Sequence, residues 1–162
     1  MNPCLCGHFG SPKGLCRCTP QEVARYCRKL SGPLFDRFDL VVDVPAVDLT
    51  EMARGSPGES SEFVRGRVVR ARERQLARFG NNGIPCNASM GSGDLGRFAP
   101  LSASCLRLLE SASHRLGLSA RGFDRVRRVA RTLADLDGSD AIVERHLAEA
   151  VQYRMTFPPQ QR

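Results

Sequence analysis

At 162 residues, 41% of them apolar and 25% charged, the chain has the material for one ordinary folded core. No apolar run approaches the roughly 20 residues needed to cross a bilayer, and no basic-then-apolar leader opens the chain, so the sequence points to a cytoplasmic protein without membrane contact. Twenty-four basic against seventeen acidic side chains leave a net charge of +7, and only Lys13 and Lys29 are lysines. Arginine grips phosphates and carboxylates through its planar fork. The composition therefore suits nucleic acid, nucleotide or acidic protein partners, beside the plainer reading of a solvated basic surface. Seven cysteines without a secretory leader argue against a disulfide framework and for a reducing compartment.

The first eighteen residues, rich in Gly and Pro, read as a loop. They carry two C-x-C pairs, Cys4 and Cys6, then Cys16 and Cys18, with nine residues between. Four sulfurs in a tetrahedron suit zinc, and four protein ligands leave no position for water, which makes the role structural. The spacing is tighter than the common C-x2-4-C knuckle; reduced thiols in a loop are the alternative. His8 reads as a solvated loop residue, and Cys27, Cys86 and Cys105, among apolar neighbours, as inert thiols.

Thr19-Pro20-Gln21-Glu22 is a capping box with proline at the first helical position, predicting a helix to about Leu30. After the Ser31-Gly32-Pro33 break, Leu34 to Arg37 makes at most a short turn, and Asp39 to Val44 alternates as a strand would, ending at Pro45. A lone strand has no ladder partner, so it needs strands from elsewhere or some makeshift packing. Residues 48–61 read as a linker. Four helical patterns follow, over about Glu62–Phe79, Ser102–Leu116, Ala120–Leu136 and Asp140–Arg154. Their expected core faces are Val68, Ala71 and Leu76; Leu106, Leu109, Ala112 and Leu116; Phe123, Val126, Ala130 and Leu133; and Val143, Leu147, Ala150 and Val151. Ser119 and Ser139 are candidate N-caps, and Gly117 and Gly138 candidate terminators. The class expected is mainly α, with a helical bundle over 62–156 and a disordered tail over 157–162.

The ordered set MNPCLCGHFG, Cys16-Arg17-Cys18-Thr19-Pro20, LSGPLFDRFDLVVDVP, PCNASM, LSARGFDRVRRVARTLADL and HLAEAVQYR resembles magnesium-chelatase-like AAA+ ATPases of the ComM/YifB type, over nearly the whole chain. The resemblance implies that residues 1–47 are the last part of an α/β ATPase core with a four-cysteine insert, and that 62–156 form its helical lid. It implies Asn2 as the sensor-1 residue that polarises the attacking water. It likewise implies Arg37 as an arginine finger reaching a neighbouring subunit's nucleotide, and Arg121 as the sensor-2 residue reaching the bound phosphates of ATP/Mg2+. The intact protein it implies is a homo-oligomer, a hexameric ring, that uses ATP to process DNA in branch migration or competence. Met1 coincides with the methionine that precedes Asn-Pro in the family, so the chain is expected to start inside the ATPase core.

A phosphate-binding G-x-x-x-x-G-K-[ST] loop is absent from the sequence, as is a Walker-B acidic strand. Gly91-Ser92-Gly93-Asp94 lacks the following Lys-Ser. The chain alone is therefore expected neither to hold ATP tightly nor to hydrolyse it. The reading from a different class is non-enzymatic: a zinc-containing helical module that binds nucleic acid or a protein partner. For the arginine-studded helix from Glu62, a DNA-backbone contact competes with an ordinary solvated face.

Overall fold

The computed structural model describes residues 2, 4–11, 14–29, 34, 36–44, 55 and 58–155. Residues 30–33, most of the expected linker and the expected tail lie outside that set. Among the described residues the protein is all α, with helices α1 (Pro20–Cys27), α2 (Ser61–Phe79), α3 (Ser92–Phe98), α4 (Ala103–Leu116), α5 (Ala120–Leu136) and α6 (Glu144–Met155), and a 3-10 turn at Asn87–Ser89.

The helix starts follow local chemistry. Thr19 accepts from the Glu22 N–H while Glu22 reaches back to the Thr19 N–H at 2.8 Å, the reciprocal box that the sequence predicts. Ser60, Ser102 and Ser119 each accept a backbone N–H of the first turn of α2, α4 and α5. Gly117 ends α4 in the left-handed region at φ 61°, where a side chain would be strained.

Several of the expected elements, caps and faces need correction. Asp39 to Val44 is not a strand: the segment is irregular, and the Val41 N–H donates to the Tyr153 carbonyl at 3.0 Å. Without a neighbouring strand among the described residues, the ladder that defines a strand has nothing to form with. α6 begins at Glu144 rather than Asp140, because Arg131 takes the carbonyls of Ser139 (2.6 Å) and Asp140 (2.7 Å) and holds that stretch as a loop. Ser139 therefore caps nothing, and its hydroxyl donates to the Ala141 carbonyl. α3 and the 3-10 turn were not foreseen, since three glycines masked a helix that Asp94 starts by accepting the Gly91 N–H at 2.8 Å.

α5 is the centre of the bundle, touching α2, α3, α6 and the 3-10 turn. Its Val126, Ala130 and Ala134 are fully buried beside Leu109, Leu95, Leu147 and Phe79. The expected faces rotate slightly: Val68, Leu76, Leu106 and Val143 are exposed, and Gln75, Phe79, Cys105 and Ile142 are buried in their place. α2 buries only the narrow stripe Ala71, Gln75, Phe79, spaced i, i+4, i+8, which faces α5, with Phe79 edge-on to Phe98 of α3 at 5.2 Å.

Candidate functional site

The four cysteines of the amino-terminal loop converge. Their sulfurs all lie within 4.8 Å of one another, with Cys4 to Cys6 at 3.4 Å, Cys6 to Cys16 at 3.7 Å and Cys4 to Cys16 at 3.8 Å. Sulfurs about 2.3 Å from a zinc at tetrahedral angles stand about 3.8 Å apart, so these separations fit that ion and are far too long for disulfides. The loop reaches this shape through glycines: Gly7, Gly10 and Gly14 adopt φ of 81°, 77° and 60°, closing turns that aim the paired thiols inward. Cys4 is buried while Cys6 is exposed, and His8 is exposed outside the thiol group.

Backbone donors differentiate the sulfurs. The His8 N–H, then the Arg17 N–H and the Cys4 thiol, pull the Cys6 thiol down to about 6. At Cys18 the Cys6 N–H favours the thiolate, but the Cys6 side chain, desolvation and the crowding Cys4 outweigh it and push the thiol up to about 12. One thiol is thus held toward the thiolate while another resists ionisation, as expected where groups that can become anionic crowd together. Asn2 is exposed and lies over Gly7, its Nδ2 3.3 Å from where a Cβ on that glycine would sit. Among the described residues no hydrogen bond links Asn2 to Arg37 or Arg121.

The arginines divide into two kinds. On α5, Arg127 donates to the carbonyls of Leu95 and Ala99, closing the end of α3, and Arg128 donates to the Met90 carbonyl at 2.8 Å. Arg131, 2% exposed, and Arg78 of α2 both grip Asp135, to which Asn87 also donates at 2.8 Å. Burial pushes Arg131 below the ordinary arginine range, against the pull of Asp135. Arg125 pairs with Asp39. Arg121, at the start of α5, is exposed and is the one arginine of that helix with no hydrogen bond or ion pair among the described residues. Its position by the free N–H groups of the first turn favours anions.

Arg37 is equally exposed and has no side-chain partner among the described residues, although both aspartates near it are engaged. Asp36 faces Arg154 at 3.4 Å, and Asp39 meets Arg125. Arg154 also donates to the Phe38 carbonyl at 2.5 Å. The segment around Arg37 is thereby laid against α5 and α6. Arg154 Nη2 is 3.5 Å from the Cβ position of Gly122, the residue after Arg121. The family resemblance names Arg37 and Arg121 but not Arg125 and Arg154, which hold the segment around Arg37; the signal available for them was the pair of aspartates near Arg37.

A helical bundle joined to a glycine-turned cysteine loop and an exposed arginine held at the junction defines the class. Residues 1–52 match the family described as magnesium chelatase, subunit ChlI, and residues 58–154 match magnesium chelatase, subunit ChlI C-terminal. The chain belongs to this magnesium-chelatase ChlI family. It is 42% identical over 155 residues to YifB of Escherichia coli K12, covering 95% of this chain and 29% of that protein. To the competence protein ComM of Haemophilus influenzae it is 40% identical over 155 residues, covering 95% and 29%. An uncharacterized protein of Mycobacterium bovis is 40% identical over 157 residues, covering 96% and 30%. The chain thus spans about three-tenths of the length of these relatives. No helix among the described residues is long and apolar enough to cross a membrane.

Proposed function

We propose that this chain is the C-terminal part of an ATP-driven ring motor that processes DNA, in which Arg37 acts in trans as an arginine finger and Arg121 reads the subunit's own nucleotide. The observation that carries this reading is the contrast among the arginines: Arg37 and Arg121 stand in solvent while their neighbours are paired. In phosphoryl transfer, negative charge spreads over the γ-phosphate oxygens, and a guanidinium supplied by a neighbour is worth about 10³ to 10⁵ in rate. The DNA substrate rests on likeness to a protein named for competence. Asn2 belongs to the same reading as the sensor-1 residue, and the ATP and Mg2+ are held by a phosphate-binding core that this sequence does not contain. In the complete ATPase, Arg37→Ala abolishes turnover while ATP binding persists in a filter or fluorescence assay. Unchanged turnover refutes the finger.

For the insert, the sulfur separations favour a structural zinc held by Cys4, Cys6, Cys16 and Cys18. When bound, the ion cross-links the two ends of the loop; it supplies no catalysis because its ligand set is closed. Elemental analysis of protein purified under reducing conditions then gives about one zinc per chain. A metal-free protein refutes it. A non-enzymatic nucleic-acid module is the second reading, favoured by Arg65 and Arg70, exposed on α2 without partners among the described residues. Binding of the isolated chain to duplex DNA that weakens steeply with salt supports that reading, and no binding at low salt removes it.

A further inference from the structure

The geometry points to Arg125 and Arg154 as positioning residues that clamp the Arg37 segment onto the helical lid, so that the lid reading one subunit's nucleotide also sets where that subunit's finger points into its neighbour's site. The inference rests on the reading of Arg37 as a trans finger and extends it.

Three contacts from one small region of the bundle meet the segment. Arg154, on α6, has a side chain only 2% exposed, yet it reaches across 116 residues of sequence to the Phe38 carbonyl and also faces Asp36. Arg125, on α5, pairs with Asp39 two residues beyond Arg37. The Tyr153 carbonyl accepts the Val41 N–H at 3.0 Å. A buried guanidinium is costly unless paired, so leaving α6 would cost Arg154 its contacts with the Phe38 carbonyl and the Asp36 carboxylate. Arg37 is thus bracketed by Asp36 and Asp39 while its own side chain remains in solvent. Arg121 opens the helix that carries Arg125 and lies beside Gly122, against which Arg154 packs. A shift of the start of α5, such as phosphate binding at Arg121 would bias, must be carried to Arg37 through these pairs.

The test uses the complete ATPase with its phosphate-binding core. Arg125→Ala and Asp39→Ala each lower kcat by about 10²-fold, the cost of roughly an ångström of misplacement, with KM for ATP unchanged. The exchanged pair Arg125→Asp with Asp39→Arg restores most of kcat, which a merely structural defect would not allow. Turnover within about twofold of the parent in Arg125→Ala, while Arg37→Ala is inactive, overturns the clamp and leaves the finger standing. A rise in KM at constant kcat also overturns it, because the pair would then serve the lid's own nucleotide. Retained turnover in Arg37→Ala instead brings down the finger reading itself.

Discussion

The cysteine loop with α1 and the bundle from α2 to α6 are ordered by different physics. Over residues 2–29 the only buried side chains among those described are Cys4 and Val23, so no apolar core holds that region. Its shape comes from left-handed glycines and brings the four sulfurs within 4.8 Å of one another. The bundle, by contrast, surrounds α5 with fully buried apolar residues and ties three elements to one carboxylate, Asp135. One region is stapled and the other is packed. The loop region is the more conditional of the two if the proposed zinc is bound, because its order would then depend on a ligand and a redox state outside the chain.

The strongest way to break this contrast is at Asp135, whose side chain is fully buried. Asp135→Ala removes the carboxylate shared by Arg131, Arg78 and Asn87, and leaves the buried Arg131 charge only the Ser139 and Asp140 carbonyls. A loss of about 3–5 kcal/mol in urea unfolding is expected. A loss below about 1 kcal/mol would mean that the bundle does not depend on this network.

Next, chelation or Cys4→Ser is expected to speed amide exchange across residues 4–29 while moving the bundle's unfolding free energy by no more than about 0.5 kcal/mol. Equal destabilisation of both regions would show that they are one cooperative unit.

The smallest effect is at Asp137. His146 first, and then Arg145, hold its carboxyl below the usual range, with His146 Nε2 at 3.1 Å. His146 Nδ1 accepts the Val143 N–H, which leaves Nε2 facing the Asp137 carboxylate. A depressed folded pKa contributes stability that is present above about pH 4, the ordinary carboxylate value, and is lost as pH falls through the folded value. The urea midpoints of the parent and Asp137→Asn therefore converge as pH is lowered below about 4. Parallel midpoints down to pH 2.5 would remove the linkage.

Much of the fold was legible in the chain. The limits of α5, the Thr19 capping box and the Gly117 stop are local signals, settled within one helical turn by a side chain and its nearest N–H groups. α3 was hidden because Gly91, Gly93 and Gly96 depress helix propensity, and only the burial of Leu95 and Phe98 makes that helix worthwhile. In α2 and α4, Ala71, Leu109 and Ala112 are buried as the periodicity predicts, while Gln75 and Cys105 take the places expected for Leu76 and Leu106, because the side of the stripe that meets another element cannot be read in a single helix.

The candidate sites divide in the same way. The four cysteines were legible as a candidate cluster from residue identity and spacing, because closely spaced ligands in a loop are a local object, whereas Arg37 and Arg121 became candidates only through the family resemblance. Which arginines are structural and which are free was decided only by the tertiary structure. Arg154, Arg78 and Arg127 acquire their partners across 116, 57 and 28 residues, and a guanidinium's role follows from what it meets when water is excluded.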